Sequence, residues 1–179
     1  MRAFEDLAAE AEAAPVDGWD FSWLDGRATE ERPPWGYARL AAARLAEAGT
    51  ALDLDTGGGE VLAGLPAWPP RMAATESWPP NAARAARLLR PRGGALIATG
   101  ADDPALPFRP GVFDLVISRH PVHTWWAEVA RVLRPGGAFL AQEIGARSNA
   151  ELYEAIAGPQ PAGGETRGAQ RSRRLAQEA

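Results

Sequence analysis

Three consecutive glycines, Gly57 to Gly59, follow the apolar segment Ala51 to Asp55 and precede an apolar turn, Glu60 to Leu65. Glycine has no Cβ, so this loop can adopt positive φ angles and leave its backbone N–H groups facing outward. A polar or charged ligand can then lie against the backbone at the N-terminus of the following helix. The stretch indicates a strand, a ligand-binding loop and a helix, although a glycine triplet alone also fits a plain turn.

A carboxylate follows at the end of the next predicted strand. Glu76 stands 23 residues after Asp53, where its side chain can accept hydrogen bonds from both hydroxyls of a ribose. This favours a nucleoside ligand over the alternative, in which Glu76 only caps a loop. Leu62 replaces the third glycine of a dinucleotide-binding loop, and the chain contains no lysine for a P-loop, so a nucleoside without a diphosphate fits best.

The rest of the chain alternates predicted strands and helices. Gly49 is predicted to end the second helix, and Asn81 is predicted as the N-cap of the fourth. Five strands alternating with helices indicate parallel β-α-β units, and hence an α/β fold with a doubly wound, mostly parallel Rossmann-like sheet and helices on both faces. The predicted helices cover 2–14, 36–48, 60–65, 82–90, 122–133 and 149–157, and the predicted strands cover 51–55, 71–75, 95–99, 112–118 and 138–144.

Ligands of such sheets bind at the carboxyl ends of the strands, near the point where the strand order reverses. The glycine loop, Glu76, Asp102 and the segment Ser118 to His120 all follow predicted strands. We therefore expect these four groups to converge on one crevice.

At this point the chain resembles the class I S-adenosylmethionine-dependent methyltransferases. The resemblance covers about Trp35 to Gly145 and depends on four motifs in order. Each motif alone is modest, but together at this spacing they are specific. They are Leu52 to Glu60, Ala74 to Glu76, Asp102 before Leu106 to Phe108, and Phe113 to Ser118 followed by Val132 to Gly137.

The resemblance implies S-adenosylmethionine as the cofactor and assigns its binding residues. The methionine end would lie on Asp53 and on the loop residues Thr56, Gly57, Gly58 and Gly59. Glu76 would bind the ribose hydroxyls.

The resemblance also assigns residues to the other parts of the cofactor. Ser77 and Trp78 would lie beside the adenine, with Asp102 near its exocyclic amine. Ser118 and Arg119 would lie under the methionyl part.

Three further residues bear on the chemistry. His120 would face the methyl group and is the candidate general base, if the acceptor arrives protonated, with His123 behind it. The alternative for both histidines is a packing role around Pro121. Asp55 stands where the family usually has glycine, and the cationic sulfur of the cofactor makes a second negative charge there tolerable.

Composition limits the other partners. With 179 residues, of which 46% are hydrophobic, the chain is long enough for one domain with a core. A net charge of −4 argues against a nucleic acid partner. The absence of cysteine and the presence of only two histidines argue against a metal site. No run of about 18 apolar residues exists, so we expect a soluble, cytoplasmic protein without a membrane span.

The chain divides into three predicted parts. Residues 1–35 form a helix and an aromatic-rich cap with Trp19, Phe21, Trp23 and Trp35, residues 36–157 form the cofactor-binding domain, and residues 158–179 form a disordered tail. Members of the fold add two strands as an antiparallel hairpin at one edge, which this sequence lacks. A truncated or frame-shifted member would expose a sheet edge, which favours a homodimer.

Three hypotheses for function follow. The leading one is an S-adenosylmethionine-dependent methyltransferase that acts on a small molecule. The second is a cofactor-binding module with impaired catalysis. The third is an NAD(P)-binding oxidoreductase, which Leu62 disfavours.

Overall fold

A computed structural model describes residues 3–14, 22–26, 34–145, 154–155, 158 and 169–179. Its centre is a five-stranded sheet whose paired strands are all parallel, in the order β3-β2-β1-β4-β5. The strands are β1 Thr50–Leu54, β2 Arg71–Glu76, β3 Ala95–Ala98, β4 Phe113–Arg119 and β5 Leu133–Gln142. The α-helices are α1 Phe4–Glu12, α2 Tyr37–Glu47, α3 Glu60–Ala63, α4 Pro79–Leu89, α5 Trp126–Val132 and α6 Ala169–Glu178, with 3₁₀ turns at Ser22–Leu24 and Arg90–Arg92.

The strand order confirms the predicted doubly wound sheet. The chain moves outward from β1 to β2 and β3, then returns to the other side of β1 with β4 and β5. Leu52 of β1 pairs with Ala73 of β2 and with Val116 of β4. The switch point therefore lies between β1 and β4, at the end of the strand that carries the glycine loop.

Alternation along the strands produces two buried faces. Ala51, Leu115 and Ile117 belong to a core cluster that also contains side chains of α2, α3 and α4. Leu52 and Val116 belong to a second cluster with α5. Because the sheet is covered on both faces, β1 and β4 are apolar almost throughout.

Gly49 follows the C-cap of α2 as predicted, but its φ is not positive, so it does not form a glycine cap. Helix α2 ends at Glu47, and the following Ala48 is already extended, with φ −83° and ψ 147°. Instead, the Gly49 N–H donates to Asp114 Oδ2 at 2.7 Å, and the Thr50 N–H donates to the same oxygen at 3.0 Å. Asp114, which interrupts the apolar pattern of β4, thus links the start of β1 to β4.

The predicted N-cap at Asn81 is wrong. Helix α4 begins two residues earlier, at Pro79, so Asn81 lies buried inside its first turn. Proline suits this position because its fixed φ is helical and it has no N–H that needs an acceptor.

The region around α5 differs from the prediction at both ends. The helix begins only at Trp126, and the segment from Pro121 to Trp125 is irregular. Strand β5 begins at Leu133, immediately after the helix, and includes the turn that was predicted to separate the two. A register shift in the β4–β5 pairing accommodates the extra residues before Ala138 pairs with Leu115.

The C-terminal residues contain an element that the sequence did not predict. Helix α6 occupies Ala169–Glu178, where a disordered tail was expected. Its sequence, AQRSRRLAQE, is rich in residues that favour helix despite having few large apolar side chains.

Some predictions lie outside the described residues. They concern Trp19, Phe21 and most of the predicted helix at 149–157. None of the described helices has the length and apolar character needed to cross a bilayer.

Candidate functional site

Two adjoining cavities lie at the carboxyl end of β1. The first, here called the tyrosine cavity, has a volume of about 100 Å³, and its walls include Tyr37, Asp53 and Thr56. The second, here called the glutamate cavity, has a volume of about 310 Å³. Its walls include Glu76, Ser77 and Asp102. The sheet thus brings together most of the predicted site residues, as expected at a switch point.

The glycine loop turns the chain sharply between β1 and α3. Gly57 and Gly59 have φ values of 63° and 83°, in the left-handed region that favours glycine. A Cβ on Gly59 would lie 3.1 Å from the Cα of Ala85 in α4, so this glycine also permits close packing of the helix. The Thr56 N–H donates to the Thr75 carbonyl at 2.9 Å, which ties the loop to β2. Thr56 and Glu60, on either side of the glycines, line the tyrosine cavity.

Glu76 is held in place by its own chain. Its side chain is 6% exposed, and its Oε1 accepts the N–H groups of Ser77 at 2.9 Å and Trp78 at 2.8 Å. Both donors lie just before helix α4. These bonds fix the carboxyl group at the wall of the glutamate cavity and leave Oε2 for a ligand.

Asp53 and Tyr37 place two buried polar groups at the tyrosine cavity. Burial raises the pKa of Asp53 to about 7, and the Thr56 hydroxyl partly opposes this shift. Burial also raises the pKa of Tyr37, and the nearby Asp53 carboxylate raises it further. The Tyr37 side chain is 7% exposed, and its hydroxyl has no hydrogen-bond partner among the described residues. A buried hydroxyl of this kind indicates that a polar ligand completes the site.

Asp55 lines both cavities. Its φ of 54° is left-handed, which aspartate tolerates better than most residues. Burial raises the pKa of Asp55, the Glu76 carboxylate raises it further, and His123 lowers it. The site therefore holds mutually repelling carboxylates that a cation would stabilise.

The loop that carries Asp102 is fastened to α5. Arg131 donates to the carbonyl oxygens of Leu106 at 2.9 Å and Phe108 at 2.8 Å. Glu128 Oε2 accepts the Leu106 N–H at 2.7 Å and also binds Arg131. The hydrogen bond from Arg131 holds the pKa of Glu128 below its ordinary value. The sequence did not identify this anchor.

The residues after β4 lie at different depths. Ser118 is buried, its hydroxyl donates to the Leu54 carbonyl at 3.1 Å, and it does not line either cavity. Arg119 is exposed, donates to the Gln142 side chain at 3.3 Å and lines the tyrosine cavity. Ser118 therefore joins β1 to β4, whereas Arg119 can reach a ligand.

His120 lies where three cavities meet. Its φ is 57°, and its N–H donates to the Gln142 carbonyl at 2.7 Å. The residue lines the tyrosine and glutamate cavities and a third cavity of about 240 Å³. This third space, here called the tryptophan cavity, is also lined by Trp125, Trp126 and Arg171 of α6.

Comparison with known families decides the assignment. A family model described as "Methyltransferase domain" matches residues 52–141, just over half of the chain. The chain belongs to the class I S-adenosylmethionine-dependent methyltransferases. The cofactor of this family is S-adenosylmethionine. The matched range contains the glycine loop, Glu76, Asp102 and His120.

Solved structures show the same fold. The PH0226 protein of Pyrococcus horikoshii is 18% identical, with a TM-score of 0.66 over 95% of this chain and 88% of that one. A SAM-dependent methyltransferase of Aquifex aeolicus is 12% identical, with a TM-score of 0.57 over 89% and 87% of the two chains. The YcgJ protein of Bacillus subtilis is 21% identical, with a TM-score of 0.54 over 66% of this chain and 55% of that one. No curated protein matches the methyltransferase chain by sequence.

The residues of this methyltransferase fit its cofactor. S-adenosylmethionine carries an amino acid group, a ribose with two hydroxyls and a positively charged sulfur. The unpartnered Tyr37 hydroxyl and the carboxyls of Asp53, Asp55 and Glu76 offer matching polar and negative groups. The sequence did not place Tyr37 among the cofactor-binding residues, because nothing in its spacing shows that α2 directs it towards Asp53.

Proposed function

We propose that this chain transfers the methyl group of S-adenosylmethionine to a small-molecule acceptor. The observation that carries the proposal is the meeting of three cavities at His120: two lined by the predicted cofactor residues and a third lined by aromatic side chains. The family supports the methyl-transfer activity. The acceptor and the residue roles below are our proposal.

The chain's residues divide the work of binding between the two cofactor cavities. Asp53, Thr56 and the N–H groups of Gly57 to Gly59 hold the amino acid end, with Arg119 and the Tyr37 hydroxyl nearby. In the glutamate cavity Glu76 accepts the ribose hydroxyls. The side chains named here line the separate walls of the two cavities, which supports this division. Gly57 to Gly59 do not line either cavity and are included because they follow Thr56 in the same loop.

Two residues bind the adenine in this proposal. Ser77 follows Glu76 on the wall of the glutamate cavity, and Asp102 lies in the loop after β3. The anchoring of that loop by Arg131 supports a fixed position for Asp102. Ser118 contributes indirectly, by holding the ends of β1 and β4 together.

The bound cofactor supplies a methyl group on a cationic sulfur, and the protein's tasks are to orient the acceptor, exclude water and remove a proton where needed. His120 is the candidate for proton removal because it is shared by the cofactor cavities and the tryptophan cavity. His123 lines the glutamate and tryptophan cavities behind it. The imidazole of His120 would accept the acceptor's proton as the new bond to the methyl group forms and the methyl–sulfur bond breaks, with neutral S-adenosylhomocysteine as the leaving group.

The tryptophan cavity supports a small acceptor. Its volume is about 240 Å³, and Trp125, Trp126 and Ile144 give it apolar walls. Glu143 and Arg171 add one carboxylate and one guanidinium. A pocket with apolar walls and a few polar groups is typical of small-molecule sites. The net charge of −4 argues against a nucleic acid acceptor.

Calorimetry tests the cofactor, and an acceptor screen tests the activity. We expect S-adenosylhomocysteine to bind and NAD not to bind. Binding of NAD without binding of S-adenosylhomocysteine would contradict the proposal. In a screen of small amines, phenols and carboxylic acids, turnover should fall in His120→Ala and remain in His123→Ala. Cofactor binding without turnover of any acceptor would favour a binding module.

We further propose that the domain spans residues 36–157 with the N-terminal segment as its cap, and that two copies associate through a sheet edge. Within the described residues, β3 and β5 form the edges of the sheet, and an unpaired edge strand can bind a second chain. Light scattering during size-exclusion chromatography should give the mass of a dimer. A stable monomer at micromolar concentration would contradict this part.

A further inference from the structure

Asp55 lies at the junction of the tyrosine and glutamate cavities. It and His120 are the two residues that line both the tyrosine and the glutamate cavities. The sulfur of S-adenosylmethionine joins its amino acid part to its adenosine part. A cofactor that places these two parts in the two cavities must carry its sulfur at their junction, beside Asp55.

We propose that the Asp55 carboxylate makes the protein discriminate by charge between the cofactor and its product, S-adenosylhomocysteine. This inference depends on the proposed function. The sulfur of the cofactor is positively charged and that of the product is neutral. Asp55 therefore stabilises the bound cofactor more than the bound product, and product release becomes easier.

The charges around Asp55 support this role. Asp53 and Glu60 add carboxyls to the tyrosine cavity. Glu76, Asp102 and Asp103 add carboxyls to the glutamate cavity, and Glu76 acts on Asp55 electrostatically. Arg119 and His123 are the basic groups on the walls, besides His120. Among the described residues Asp55 forms no ion pair, so a cation at the junction would relieve repulsion that the protein leaves in place.

The backbone provides a second, independent reason. A φ of 54° at a residue other than glycine is uncommon. Glycine would adopt this angle without strain, so an aspartate here costs some stability relative to glycine, as is often found for residues at functional sites. Separately, the buried Tyr37 hydroxyl has no partner among the described residues, which is consistent with a polar ligand in the adjoining cavity.

The test compares the affinities of S-adenosylmethionine and S-adenosylhomocysteine by calorimetry at pH 8. Asp55→Asn is the matched variant, because asparagine has the same shape and also tolerates positive φ. We expect Asp55→Asn to reduce the preference for the cofactor over the product by about tenfold, chiefly through weaker binding of the cofactor. This factor is at the low end for two unit charges in contact because Asp55 is solvent-accessible.

Two further variants complete the design. Asp103→Asn removes a carboxylate from the glutamate cavity away from the junction, and its preference should equal that of the wild type. Asp55→Gly should lose the preference like Asp55→Asn. An unchanged preference in Asp55→Asn would overturn the inference. So would equal tightening of both ligands in Asp55→Gly, since the side chain would then only obstruct the site. If neither ligand binds to the wild type, the proposed function itself fails.

Discussion

Substitution of Glu76 is the most informative test of the proposed cofactor site, because only one of its two carboxylate oxygens binds the protein backbone. Oε1 accepts the N–H groups of Ser77 and Trp78, whereas Oε2 is left for the ligand. Glu76→Gln can keep the Oε1 bonds, but it removes the charge and replaces the Oε2 acceptor with an NH2 group, which can only donate to a ribose hydroxyl. Glu76→Ala removes the ligand contact and also leaves two N–H groups without their acceptor.

The two variants should therefore differ in size and kind. Hydrogen bonds to a charged group contribute about 1.5–3 kcal/mol, so Glu76→Ala should weaken cofactor binding by roughly 10- to 150-fold. Glu76→Gln retains one neutral hydrogen bond and should weaken binding only about 5- to 10-fold. Glu76→Ala should also lower the free energy of unfolding by about 1–3 kcal/mol, whereas Glu76→Gln should leave it nearly unchanged.

Isothermal titration with S-adenosylhomocysteine measures the binding, and urea denaturation measures the stability. Asp103→Asn is the control, since Asp103 lines the same cavity and its Oδ1 accepts only the local Ala105 N–H, at 2.9 Å. It should change the affinity less than twofold. If folded Glu76→Ala and Glu76→Gln both bind within twofold of the wild type, Glu76 does not bind the ribose and the reasoning is refuted.

Three other predictions concern single side chains. The pKa of Asp53 is raised to about 7, so its carboxyl is protonated below that pH and must lose the proton to bind the cationic amino group of the cofactor. The affinity for S-adenosylmethionine should therefore fall about tenfold from pH 8 to pH 6. Calorimetry should show no such fall in Asp53→Asn, and a fall of equal size there would contradict this. Tyr37→Phe should weaken S-adenosylhomocysteine binding about 5- to 10-fold without loss of stability, because its buried hydroxyl has no protein partner to lose; unchanged affinity would exclude it from the site. Asp114→Asn should lower the free energy of unfolding by about 1 kcal/mol in urea, because the amide oxygen can still accept the Gly49 and Thr50 N–H groups but the charge that strengthens these bonds and the ion pair with Arg134 is lost. Partial burial tends to raise the pKa of Asp114, but these hydrogen bonds hold it below its ordinary value. The stabilisation by the Asp114 carboxylate is therefore present above the pKa of the unfolded state and is lost as the pH falls through the pKa of the folded state. A difference in unfolding free energy between wild type and variant that persists in strong acid would refute this assignment.

The sequence predicts the sheet well because its rules are local and periodic. Each strand is a short apolar run that ends in a polar residue, and the alternation with helices specifies parallel pairing. The position of Glu76 follows from the same periodicity. For this reason the sequence predicts polar side chains around the carboxyl end of β1, where the tyrosine and glutamate cavities lie.

The failures occur where contacts between distant residues decide the structure. Gly49 looks like a helix stop, but the carboxylate of Asp114, 65 residues away, takes its N–H. Tyr37 reaches the cofactor cavities only because α2 packs against β1 and β4. Helix α6 has few large apolar residues, yet Arg171 helps to line the tryptophan cavity. Such contacts have no counterpart in local sequence patterns.

A crystal structure of the protein with S-adenosylhomocysteine tests the central claim most directly. The two ribose hydroxyls should lie within hydrogen-bonding distance of the Glu76 carboxylate, and the sulfur should lie between Asp55 and His120. A ligand bound elsewhere, or one whose ribose faces away from Glu76, would contradict the account of the site.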